Sequence, residues 1–150
     1  MFQRFAADAR TIATDATEIA RDLGAPMVEA EHLLLAATRL DAPAAQALHA
    51  AGLDYDGLLD ALGAETARSL AAVGVTASTP AFSPFVRAPR FAASAKLALE
   101  RSLKVALARK DTSIGVEHVV AAILQAPTGT VPRALECAGV DRVELAARLA

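Results

Sequence analysis

The feature that most constrains this chain is that it repeats itself. Setting His32 on His118, an offset of 86, also places Arg4 on Arg90, Phe5 on Phe91, Ala9 on Ala95, Ala20 on Ala106 and Glu31 on Glu117. No gap is needed from Arg4 to Thr38. One inserted residue then shifts the offset to 87, and Leu48 meets Leu135, Gly52 meets Gly139, Asp54 meets Asp141, and Leu58 and Leu62 meet Leu145 and Leu149. Chance does not hold register over that length. The chain is read as a duplicated unit, residues 1–65 and 90–150, joined by a linker over 66–89, and any fold assigned to it must carry a pseudo-twofold.

Each copy reads as four helices. Phe5, Ala9, Ile12, Ala13, Ala16, Ile19, Ala20 and Leu23 form one apolar stripe along a first helix, which Gly24-Ala25-Pro26 ends. A second helix is predicted over about 29–39. A third, over about 43–51, stops at Gly52, a residue suited to the position after a helix. Asp54 is placed to cap a fourth through Leu58, Leu59 and Leu62. The second copy repeats the plan, with Asp141 and Glu144 spaced as a capping box. Between the copies, Pro80, Pro84 and Pro89 exclude regular helix, and Phe82 and Phe85 suggest a linker laid on the protein. The expected fold is all-α, an eight-helix pseudo-twofold bundle in a single domain. A chain of 150 residues with 54% apolar residues and only 4% aromatics, its apolar content largely alanine, agrees with close helix packing.

Several functions are excluded or disfavoured. Net charge is −2 with both signs interspersed, and no basic stripe marks a nucleic-acid binder. Charges at Arg4, Asp8 and Arg10 argue against a signal peptide, and the uncharged stretch from Ser69 to Val86 is broken by Gly74, Pro80 and Pro84, so no membrane span is expected. These readings point to a cytoplasmic protein. The single cysteine, Cys137, sits in "RALECAGV", a helix seam in which a buried thiol is the plain reading. Lys96, Lys104 and Lys110 do not follow glycine, which removes a phosphate-binding loop, and no nucleophile elbow or dinucleotide fingerprint is present.

The repeated Glu-His dipeptide admits a catalytic or metal reading, but neither copy supplies two ligands at i and i+4, and His49 stands alone. The histidines are expected to be structural, with no metal, no cofactor and no enzymatic activity. A hydrolase built on histidine and Cys137 is the weaker rival. Glu31 and Glu117 have two readings: first-turn carboxylates favoured by the helix dipole, or acids that grip a cation at two related sites.

The stretches "MFQRFAADAR", "EAEHLLLAA", "ALHAAGLD", "FAASAKLALERSL" and "GVEHVVAAIL" resemble the N-terminal repeat domain of the Clp unfoldases, most closely the ClpC type. That family shows an MF-x-RFT start, a G-T-E-H-[IL]-L-L motif in each copy and an F-T-P-R-A-K-x-x-L-E opening to the second. The resemblance covers nearly the whole chain and implies the same eight-helix fold. It also implies a docking module for substrates and adaptor proteins of a hexameric ATPase that feeds a peptidase. The chain ends at Ala150 without an ATPase module, so the resemblance is to a free-standing N-domain acting as adaptor, decoy or regulator, or to an excised N-domain of a full-length unfoldase. A helical structural or regulatory protein that kept the fold but lost Clp-related binding is the alternative.

The resemblance implies two sites. In some ClpC-type domains the motif glutamates hold the guanidinium of phosphorylated arginine, which transfers to Glu31 and Glu117; the pairing suits charge-assisted, bidentate hydrogen bonds. The phosphate is taken at the start of each first helix, with the F-T threonine. Here those threonine positions are Ala6 and Ala92, and the G-T before Glu-His is Glu29-Ala30 and Gly115-Val116, which removes two hydroxyl donors and adds a negative charge. The second site is the groove between the copies, where cyclic peptides sit in actinobacterial relatives; it transfers to Phe2, Arg10, Lys96 and Glu100. A phenylalanine flanked by charges suits peptide anchoring, and Lys96 and Glu100 are spaced to pair on one helix face.

Overall fold

The computed structural model describes residues 4–75 and 88–149. Eight helices lie among them: α1 (Ala7–Asp22), α2 (Ala30–Thr38), α3 (Pro43–Ala50), α4 (Tyr55–Ala72), α5 (Ala93–Ala108), α6 (Val116–Leu124), α7 (Thr130–Cys137) and α8 (Arg142–Ala147). The bounds of α1 and α2 map onto α5 and α6 at the offset of 86, and those of α3 onto α7 at 87. The all-α, pseudo-twofold architecture expected from the repeat is therefore the one observed.

The two central helices explain the rest of the packing. Residues 32–38 of α2 and 118–124 of α6 are buried without interruption, so both helices are covered on every side. The amphipathic α1 lays its stripe of Ala9, Ile12, Ala16, Ile19 and Ala20 on α2, and α5 does the same on α6. Small side chains in these stripes let the axes approach closely, which accounts for the alanine-rich composition. In α4, Asp54 caps the first turn by accepting from the Gly57 N–H at 2.7 Å, and the helix lies against α7 of the other copy.

The copies are interlocked rather than stacked. Two short parallel strands, β1 (Met27–Val28) and β2 (Arg90–Phe91), pair the lead-in to α2 with the lead-in to α5. The twofold-related bridge joins Phe5 to Ile114, ahead of α1 and α6. Each copy's first helix is thus entered through a bridge to the other copy.

Three features depart from the sequence reading. Helix α4 runs on to Ala72, seven residues into the stretch read as linker. The Asp141 carboxylate caps α8 by accepting from Val143 and Glu144 N–H, but the Glu144 carboxylate bonds Arg148 at 2.9 Å instead of returning to the cap. Cys137 is half-buried, with Arg68 Nη1 3.8 Å from its sulfur, because α4 brings a guanidinium to that seam. Pro80, Phe82, Pro84 and Phe85 lie outside the described residues.

The repeat also exposes a local strain. Helix α1 ends at Gly24, whose φ is 71°; the equivalent residue after α5 is Lys110, with φ 61°. The surrounding bonds match: Gly24 N–H to Arg21 O and Lys110 N–H to Leu107 O are both 3.0 Å. A side chain in the left-handed region costs about 1 kcal/mol or more, which glycine avoids. Lys110→Gly is expected to stabilise the protein by about 1 kcal/mol in urea unfolding; an unchanged or lower midpoint would show that the lysine is not strained there.

Candidate functional site

The two Glu-His dipeptides open α2 and α6, and the histidines do one job in both. Each occupies the third helical position, where Nδ1 accepts the N–H of the capping residue, Glu29 for His32 and Gly115 for His118, at 2.8 Å in each case. One of the unpaired N–H groups at each helix start is thereby satisfied from inside the protein. With Nδ1 accepting, Nε2 carries the proton in His118 and donates to Asp111 Oδ2 at 2.7 Å. Both rings are buried, and burial holds His32 below the usual histidine range. The third, His49, bonds the Thr38 carbonyl through Nε2 at 2.7 Å. Among the described residues no group of histidine, cysteine and carboxylate side chains is placed to hold a metal ion.

The glutamates, by contrast, are not equivalent. Glu31 is half-buried in a cleft of about 270 Å³ between the start of α2, the face of α5 that carries Ser94 and Arg101, and the turn into α7. Loss of solvation there, with help from the neighbouring Glu29 and Glu65 charges, raises its carboxyl to about 6. Ser94 staples the copies beside it, accepting from the Ala30 N–H at 2.9 Å and donating to the Glu29 carboxylate. Across the cleft, Arg133 bonds Glu65 Oε1 at 2.8 Å. Burial alone would raise Glu65, but its bonds from Ser69 and Arg133 outweigh that and hold it below its usual value.

Glu117, at the related position, is exposed. Its carboxylate folds over Gly115, where an added Cβ would stand 2.6 Å from both oxygens, so glycine is needed for this placement. It lies 3.4 Å from His118 Nδ1, but that nitrogen accepts the Gly115 N–H, so Nδ1 has no proton to donate to the carboxylate. Ala6 and Ala92 are the capping residues of α1 and α5, and neither offers a side-chain cap.

The groove residues fall beside α5. Lys96 lines one apolar cleft of about 600 Å³ and Glu100 a second of about 610 Å³; Leu99 lines both. Leu103 and Leu107, 36% and 56% exposed, line the second cleft with Arg4 and Lys104. Lys96 and Glu100 are exposed, and no ion pair joins them among the described residues. Arg10 is exposed on α1 and lines neither cleft, and Phe2 lies outside the described residues. Sequence reasoning missed Leu103 and Leu107, although their spacing of four after Leu99 was a visible signal. It also missed Ser94, Arg101 and Arg133 around Glu31, which come from other helices and carry no local signal.

A model of the Clp repeat N-terminal domain matches residues 4–88 and 90–150. The chain belongs to this family. Among solved structures, the Clp repeat domain described here is similar to the N-terminal domain of the protease-associated chaperone ClpD from Arabidopsis thaliana, with a TM-score of 0.73 and 22% identity over 99% of this chain and 96% of that one. It is also similar to the Hsp104 N-terminal domain from Candida albicans, with a TM-score of 0.68 and 17% identity over 98% and 89% of the two chains. A structure from a study of a malarial protein secretion system gives 0.67 and 16% over 97% and 92%. At these identities the likeness establishes the fold. No curated protein matches the sequence. No helix among the described residues of this Clp repeat domain is long and apolar enough to cross a membrane.

Proposed function

We propose that this Clp repeat domain is a non-catalytic protein- and peptide-binding module of the Clp protease system, serving as adaptor, decoy or regulator toward substrates, adaptor proteins or the Clp ATPase in the cytoplasm, with cyclic peptides among its ligands. The observation that carries the reading is the pair of apolar clefts meeting at Leu99, with Leu103 and Leu107 left partly in water and Lys96 and Glu100 beside them. Apolar anchors set among exposed charges are what a polypeptide ligand needs for affinity and orientation together.

The test is fluorescence anisotropy with labelled β-casein, a disordered model substrate. Wild type is expected to bind saturably, and Leu103→Asp/Leu107→Asp to bind at least tenfold more weakly with an unchanged melting temperature. Equal binding by the variant removes the groove from the reading. No binding by the wild type to this or any Clp-system protein favours a helical structural protein that kept only the fold.

A second reading rests on Glu31, an acid with a raised pKa in a cleft, which is a common mark of a functional carboxyl. It assigns Glu31, and by the repeat Glu117, to capture of an arginine or phosphoarginine side chain. Calorimetric titration of phosphoarginine tests it: saturable heat that Glu31→Ala/Glu117→Ala abolishes supports the assignment, and no heat retires it.

A further inference from the structure

Helix α5 carries two parallel rows at four-residue spacing. Leu99, Leu103 and Leu107 form one; Lys96, Glu100 and Lys104 form the other, three residues ahead, with the charge order plus, minus, plus. Residues at this spacing lie above one another on a helix. From Lys96 to Leu107 the rows extend about 16 Å, roughly three helical turns. The far rim of the two clefts contributes Arg4, Arg21 and Glu18. Four bases against two acids thus border a groove in a chain whose net charge is −2.

We infer that this groove takes an amphipathic helix of a partner protein whose apolar face is flanked by an acid–base–acid row at four-residue spacing. The inference rests on the groove reading above and names the ligand class. Extended peptides gain much of their affinity by pairing main-chain groups with an open sheet edge. The walls of this groove are α1 and α5, whose backbone groups bond within their own helices, together with the lead-ins at Arg4, Phe5, Phe91 and Ile114, whose pairings across the copies are only one or two residues long and offer no extended sheet edge. A ligand that arrives with its backbone already satisfied loses nothing there. An apolar row at helical spacing also fits the ridge of a second helix. The alternating charges then fix register, because a minus–plus–minus row answers each position while a plus–minus–plus row meets like charge throughout.

That rule also speaks against a second copy of this chain as the occupant. A two-fold pair of α5 helices centred on Glu100 sets Glu100 against Glu100 and Lys96 against Lys104. Shifting Glu100 onto Lys104 leaves Lys96 opposite no acid.

The test uses the full 150-residue protein and three fluorescein-labelled synthetic peptides of about four helical turns. One has leucines every fourth residue beside a Glu–Lys–Glu row, one has Lys–Glu–Lys, and one is the first with a central proline that breaks the helix. The Glu–Lys–Glu peptide is expected to bind at least tenfold more tightly than the other two and to gain helical circular dichroism. Lys96→Glu/Glu100→Lys/Lys104→Glu is expected to invert the charge preference. Equal binding of both charge patterns, or undiminished binding of the proline peptide, overturns the inference. If β-casein binds while none of the peptides does, the helix inference fails and the groove reading stands. If neither class binds, both fail. Concentration-dependent dimerisation in sedimentation that Leu103→Asp/Leu107→Asp abolishes makes a second copy the occupant and overturns it too.

Discussion

Truncating His118 to alanine is expected to lower the unfolding free energy by about 3 kcal/mol. The ring is 2% exposed and holds two groups at once, the Gly115 N–H on Nδ1 and the Asp111 carboxylate on Nε2. Its loss leaves a cavity at a buried position and strips the first turn of α6 of an internal acceptor. Each of those effects alone is worth about 1–3 kcal/mol. His32→Ala removes the same cap from α2 and is expected to cost somewhat less, since among the described residues its ring bonds the Glu29 N–H alone. Urea unfolding followed by circular dichroism measures both. Added zinc is expected to leave the wild-type melting temperature unchanged, and β-casein binding by the folded fraction of either variant to stay as in the wild type. A His118→Ala protein as stable as the wild type would free the histidine for another role and reopen the catalytic reading of the dipeptide.

The contrast between the two halves of Glu-His shows what the sequence could convey. The duplication was legible because the apolar stripes, the Glu-His dipeptides, the stop at Gly52 and Gly139 and the capping Asp54 and Asp141 recur at offsets of 86 and then 87, and every one of those signals is local. The histidine role was legible only in outline. A polar residue heading an apolar run suggested a structural group, but its hydrogen bond backward to the capping N–H is a matter of ring geometry. The length of α4 was hidden for a different reason. Its buried positions run Leu58, Ala61, Leu62, Glu65, and read along the sequence the apolar stripe stops where a carboxylate replaces an apolar side chain. Glu65 continues the stripe because Arg133 and Ser69 satisfy it, and Arg133 belongs to the other copy. The cleft around Glu31 was hidden in the same way. Its walls come from α2, α5 and the turn before α7, an assembly that depends on the interlocked strands rather than on any motif.

The asymmetry between the glutamates yields the last prediction, that Glu31→Gln stabilises the protein by up to about 2 kcal/mol at pH 7 and by almost nothing near pH 4. The carboxyl is raised from 4.5 to about 6, so the folded protein holds a proton there that the unfolded chain has released. Between about 4.5 and 6 the folded state binds more protons, and stability falls as pH rises through that window; above it the full cost of keeping a half-buried carboxylate remains. Glutamine keeps the shape without the charge, so the difference between variant and wild type should open across the same window and then stay level. Urea midpoints at pH 4, 5, 6 and 7.5 follow it, and a difference that is flat with pH removes the burial argument. A carboxylate held at such a cost in a cleft is one that a basic side chain can relieve. Under the arginine-binding reading, affinity should therefore rise with pH up to about 6 and level off beyond it. A ligand whose affinity is the same at pH 5 and pH 7.5 is therefore not held by Glu31.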